Sequence, residues 1–148
     1  MKKKVMSVVL AAAMAVSMVV PAVSASAADK LVVYGIYKAG DQTWFIDEGD
    51  AAKKDAGGEF IYVDAKMSPE EYLKAIDNAV ANNASGIITC TPDQTLSQAA
   101  VDKAKDADIP IVACDDALQD DAGEKLAPWV GINAYAIGQT NGEWMANY

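Results

Sequence analysis

Two adjacent carboxylates, Asp115 and Asp116, directly follow the apolar run 109–114. Charge placed at the end of a buried segment is costly unless it is solvated or paired. Three readings fit the pair. It could be a solvated acidic turn. It could be a set of acceptors for neutral hydroxyls, since an ionised carboxylate accepts several strong hydrogen bonds. It could be a general acid and base, although neighbouring residues at a strand end are expected to diverge. Lys38 follows an earlier apolar run, with Trp44 six residues on. The lysine could donate to a ring oxygen or hydroxyl, or sit near the acids. The tryptophan is either core, the usual fate of a lone Trp, or a flat surface for the apolar face of a pyranose. Cys90 stands beside Thr91 at the end of a third apolar run and would line the same mouth by packing.

Composition removes several chemistries. The 148 residues carry 12 basic and 21 acidic side chains, a net charge of −9, with every basic residue a Lys and no His. Without His there is no His-based metal site and no His-assisted nucleophile. So acidic a chain is a poor match for nucleic acid, which demands a basic face. Neither G-x-G-x-x-G after the first apolar run nor G-x-x-x-x-G-K-[ST] occurs, which removes the main support for a nucleotide cofactor, and no cofactor is expected. Cys90 and Cys114 form no C-x-x-C pair. They read as two buried apolar side chains, with a disulfide less compatible with neighbouring parallel strands.

The start of the chain reads as an export leader: Lys2–Lys4, an apolar run over 5–23, and Ala25-Ser26-Ala27 as the cleavage site. Cleavage after Ala27 is expected, with delivery to the periplasm or exterior and, with no Cys at that site, no lipid anchor. Setting aside the three leader lysines takes the net charge from −9 to −12 and leaves 121 residues, enough for one domain with a core.

The elements that must position these groups alternate. Strands are expected over 31–37, 59–63, 86–90, 110–114 and 129–132, with helices over 44–56, from the Ser68-Pro69-Glu70-Glu71 start, after Thr91-Pro92-Asp93-Gln94, and from Ala134 on. Residues 118–125 read as a polar loop. Such alternation specifies an α/β, Rossmann-like parallel sheet with helices on both faces. Open sheets of this kind bind ligands beyond the carboxyl ends of their strands, near the point where strand order reverses. That rule selects the stretches 38–44, 90–93 and 115–116.

With those residues in place the chain resembles the periplasmic sugar-binding proteins of ABC transporters, type I binding fold, and within them the arabinose-binding members. The segments that carry the resemblance are Tyr37-Lys38 with Trp44-Phe45, Cys90-Thr91-Pro92-Asp93, Asp115-Asp116, and Ile137-Gly138 in the last helix. Together they cover nearly all of residues 31–148. The resemblance implies a sugar held between two lobes, with Lys38 near the ring oxygen, Asp115 and Asp116 accepting from hydroxyls, Trp44 stacked on the ring and Cys90 close by. The arabinose-binding members carry Glu where this chain has Gln42 and Met where it has Ile132. Gln42 both accepts and donates, so the hydroxyl pattern read there can differ, and the expected ligand is a monosaccharide, an arabinose- or galactose-like aldose.

The resemblance also implies a division of the chain: a leader at 1–27, a first sugar-binding lobe at 28–133, and at 134–148 a hinge exit with the first helix of a second, truncated lobe. Its implied partners are the monosaccharide, an ABC permease and, as a further receiver of the loaded protein, a chemoreceptor, with the protein itself a monomer. The competing class is a small secreted Rossmann-like enzyme using Asp115 and Asp116 as acid/base or metal ligands. A sugar-sensing repressor would need a DNA-binding helix-turn-helix where the leader stands.

Overall fold

The computed structural model describes residues 30–148, so the expected leader and its cleavage site lie outside the described residues. Five parallel strands form one sheet: β1 (Val32–Tyr37), β2 (Glu59–Asp64), β3 (Gly86–Thr89), β4 (Ile111–Cys114) and β5 (Trp129–Val130). Their order is β2-β1-β3-β4-β5. The chain moves one way from β1 to β2 and then the other way from β3 onward. The order therefore reverses between β1 and β3, whose carboxyl ends flank the ligand position general to open α/β sheets.

The helices are α1 (Thr43–Asp55), α2 (Pro69–Ala81), α3 (Ser97–Asp106) and α4 (Ala134–Asn147). Ser68 caps α2, its hydroxyl accepting from the Glu71 amide at 3.3 Å, with Pro69 in the first turn. This is the start that the Ser-Pro-Glu-Glu pattern specifies. The second capped start is displaced. Asp93 accepts from the Thr95 amide at 2.9 Å and caps a single 3-10 turn, Gln94–Leu96, before α3 begins at Ser97. Lys53 and Lys54 occupy the last turn of α1, where a positive charge suits the helix dipole.

Alternation along the strands divides the core between the two faces. Tyr34, Ile36, Ile87, Ile111 and Ala113 point to the side covered by α2 and α3, meeting Tyr72, Ile76, Ala79, Ala100 and Ala104. Leu118 joins them fully buried, so the expected polar loop at 118–125 carries a core residue. That segment folds back on itself through an antiparallel bridge between Gln119 and Lys125, which turns Leu118 under the sheet. On the other side a smaller cluster of Tyr37, Ala39, Phe45 and Cys90, with Phe60 and Cys114 beside it, lies under α1. α1 covers only part of that face. Ile88, Val112, Cys114 and Val130 line an open groove of about 370 Å³ beside Glu48, Ala51 and Ala52. α4 buries none of its residues, and Trp144 and Tyr148 stack on each other at 4.9 Å.

Candidate functional site

Three chain segments meet at the carboxyl end of the sheet. Lys38 opens the loop after β1, Cys90 follows β3, and Asp115 and Asp116 follow β4. Asp115 has φ of 60°, a left-handed backbone that Asp tolerates better than most residues. That turn brings together two side chains that an extended backbone would send to opposite faces. The expectation that the adjacent carboxylates diverge is therefore corrected. The Lys38 ammonium pairs with Asp116 and lies 3.7 Å from Asp115 Oδ2. The Cys90 thiol lies 4.0 Å from Asp115 Oδ2 and 3.9 Å from Asp116 Oδ2.

The electrostatics follow from this packing. Burial disfavours the lysine's charge, but its hydrogen bond to Asp116 and the surrounding negative groups outweigh that, and its pKa is raised. Burial pushes the Cys90 thiol up to about 11, so at neutral pH it is a packed thiol and not a nucleophile. Cys114 is likewise pushed up by burial and then by Glu48, and both cysteines are free. The ligand-type atoms of Cys90, Asp115 and Asp116 all lie within 4.8 Å of one another. Lys38 already supplies a cation to the two carboxylates.

Lys38, Gln42, Trp44, Phe45, Asp115 and Ile132 line one concavity of about 340 Å³, of the size that takes small ligands. Trp44 is 50% exposed there, whereas its neighbour Phe45 is 2% exposed and lies under the Lys38 ammonium, 5.8 Å from ring centre to nitrogen. Trp44 is therefore not a core residue. Gln42 stands at the cap position of α1 in an extended conformation, yet its side chain makes no cap hydrogen bond, so its amide is available to the groove. Asp93 differs: its carboxylate is engaged by the Thr95 amide and hydroxyl. Asp116 and Cys90 adjoin the groove through Lys38 and Asp115.

One contributor went unread in the sequence. Asp64 ends β2 and accepts from the Gly40 amide at 2.7 Å and the Lys66 amide at 2.8 Å. It thereby holds the loop between Lys38 and Gln42 from behind. The signal was available, because the carboxyl-end rule applies to β2 as much as to β1, β3 and β4.

A model of the periplasmic binding protein domain matches residues 32–148. The chain is similar to the L-arabinose-binding periplasmic protein of Escherichia coli K12, 35% identical over 121 residues, which are 78% of this chain and 36% of that protein. A solved periplasmic ribose ABC transporter protein from Conexibacter woesei superposes with a TM-score of 0.65 at 27% identity, over 80% of this chain and 40% of that one. The Caulobacter myo-inositol binding protein superposes with a TM-score of 0.69 at 18% identity, over 79% and 40%. The chain spans about a third of the length of the curated relatives it matches.

Proposed function

Since the chain belongs to the periplasmic binding protein domain family, we propose that it is the sugar-capturing lobe of a solute-binding protein that collects a neutral monosaccharide for an ABC importer. The observation that carries this reading is a groove lined by Lys38, Asp115 and the exposed Trp44, with Asp116 paired to Lys38 beside it. A monosaccharide matches that arrangement on both counts. Its hydroxyls donate to carboxylates and accept from an ammonium, and its C–H face suits an aromatic ring. The groups arrive already charged and mutually paired, so sugar hydroxyls exchange with an existing ion pair rather than with an isolated buried charge.

In this reading Lys38, Gln42, Trp44, Asp115 and Asp116 touch the sugar and Ile132 shapes a wall, while Cys90, expected to line the mouth, is fully buried and packs behind the two carboxylates. The ligand is an aldose of arabinose or galactose type, and the enzyme alternative is set aside because the relatives are transport binding proteins. Residues 28–133 form the first lobe. Residues 134–148 leave it by a hinge and begin a second, which supplies the remaining ligand groups and closes over the sugar. Export with cleavage after Ala27, an ABC permease and a chemoreceptor as receivers of the loaded protein, and a monomeric state complete the proposal.

The test is calorimetric titration of an aldose panel against this 148-residue chain and against a chain extended through a second lobe. The extended chain is expected to bind, and the 148-residue chain to bind weakly or not at all, because water competes for every hydroxyl at one open face. In the extended chain, Asp116→Ala should cost about 1.5–3 kcal/mol for a hydrogen bond to a charged group, a loss of about tenfold to a hundredfold in affinity. Unchanged affinity in both Asp115→Ala and Asp116→Ala would overturn the site. Micromolar binding by the 148-residue chain alone would overturn the two-lobe reading.

A further inference from the structure

The loop that carries Lys38 and Gln42 is held from the side away from the groove. Asp64 Oδ1 accepts from the Gly40 amide at 2.7 Å, and the Tyr62 hydroxyl donates to the Gly40 carbonyl at 2.8 Å. Two residues further back, Lys38 O accepts from the Met67 amide at 2.5 Å. The approach is so close that a Cβ on Gly40 would stand 2.8 Å from the Asp64 Cα. The turn that presents the Met67 amide is costly. Lys66 and Met67 both have left-handed backbones, φ of 52° and 54°, in residues without glycine's freedom. Asp64 also accepts from the Lys66 amide at 2.8 Å, so one carboxylate oxygen ties the strained turn and the loop together. Asp64, Tyr62, Lys66 and Met67 do not line the groove.

We propose that Asp64, with Tyr62 as its second arm, is a positioning residue that fixes the Lys38–Gln42 loop against the carboxylates of β4. This rests on the groove being the monosaccharide site. Lys38 and Gln42 hang from β1, whereas Asp115 and Asp116 hang from β4. Their relative placement depends on the loop backbone staying where the end of β2 holds it. Small displacements of binding groups are expensive, because hydrogen bonds to a rigid ligand tolerate little misalignment. The same loop shares an apolar cluster with Cys90: Ala39 belongs to it, and the thiol is fully buried. Release of the clamp therefore has a signature that needs no sugar.

The experiment measures iodoacetamide labelling of Cys90 in a Cys114→Ala background of the 148-residue chain, and L-arabinose and D-galactose affinity in the two-lobe chain. Asp64→Ala removes the shared acceptor and should raise labelling about tenfold or more, by local opening short of global unfolding. In the two-lobe chain it should lower affinity between about tenfold and a hundredfold. Asp64→Asn keeps an accepting oxygen and should restore both. Tyr62→Phe, which keeps its ring over Tyr37, should fall between them. Ser68→Ala, a destabilising change at the α2 cap, should leave Cys90 protected. Protection and affinity unchanged in Asp64→Ala would overturn the proposal. So would labelling that rises equally in Ser68→Ala, or that Asn fails to rescue, and should Asp64→Ala not fold, unchanged labelling in Tyr62→Phe would do the same. If the parent two-lobe chain binds neither sugar while Asp64→Ala exposes Cys90 and Asn protects it, the clamp stands and the sugar reading falls.

Discussion

The two faces of the sheet are built from the same strands and end up in different states. Toward α2 and α3, alternate residues of β1, β3 and β4 are buried, with Val32 at the start of β1 partly so: Ile36, Ile87 and Ala113 have 2% exposure or less. Toward α1, the residues between them belong to a four-residue cluster at the carboxyl end and to an open groove along β3, β4 and β5. The difference is one of cover and not of strand composition, since Ile88, Val112 and Val130 are as apolar as their neighbours. A parallel sheet requires apolar residues on both faces because both are normally covered. The small cluster under α1 is nonetheless where the groove residues are anchored, through Tyr37, Ala39, Phe45 and Cys90. The sealed face supplies stability, and the partly covered one carries the site.

Core truncations measure that contrast most directly. Ile36→Ala or Ile76→Ala on the sealed side should cost about 2–5 kcal/mol in urea unfolding, a transfer loss plus an unfilled cavity. Val112→Ala, facing the groove, should cost about 1 kcal/mol or less, because solvent or a side-chain shift fills the space. Equal costs would mean that the groove is covered in solution.

A pH series separates the faces by a different property. Burial raises Tyr72 to about 12 on the sealed side and Cys90 to about 11 under α1. Both groups keep their protons when folded at pH values where the unfolded chain has released them. The unfolded state then binds fewer protons, so stability falls as pH rises above about 9. The melting temperature should decline steadily from pH 9 to 11. Cys90→Ala should reduce the lower part of that decline, which buried Cys114 shares, and Tyr72→Phe the upper part, which buried Tyr37 shares. A melting temperature flat across the range would contradict both burials.

Two smaller effects lie outside the core. Ser68→Ala should remove about 1 kcal/mol with the cap of α2, read by the same denaturation. Lys30→Ala should change stability by less than about 1 kcal/mol, because its pair with Glu59 at 2.8 Å is largely exposed. A large effect there would place that pair in a covered environment.

Most of the fold was legible because local signals agreed with the global pattern. Ser68-Pro69 starts a helix, Gly57 ends one with φ of 65°, and apolar runs bounded by polar turns became strands. The groove residues could be placed at strand ends by rule. Their mutual geometry could not, because the convergence of Asp115 and Asp116 depends on one left-handed backbone that composition does not encode. Leu118 was misread for a related reason: its burial comes from a long-range return of the chain through the Gln119–Lys125 bridge and not from periodicity. Asp64 was overlooked although the carboxyl-end rule covers the end of β2; the rule marks the position, but its partner there, a backbone amide of another loop, cannot be read from residue types.

The exit from the sheet runs past the site itself. Trp129 donates its indole N–H to the Asp115 carbonyl at 2.9 Å, and the Asp115 amide donates to the Val130 carbonyl at 3.0 Å. At Gly131 a Cβ would stand 2.5 Å from that same Asp115 carbonyl. β5 is thus fastened to the residue that contributes a carboxylate to the groove, and Gly131, the first residue beyond it, passes close against the same carbonyl. Room at residue 131 is therefore set by the Asp115 carbonyl, and any side chain larger than glycine's hydrogen there has to push aside the backbone from which that carboxylate hangs.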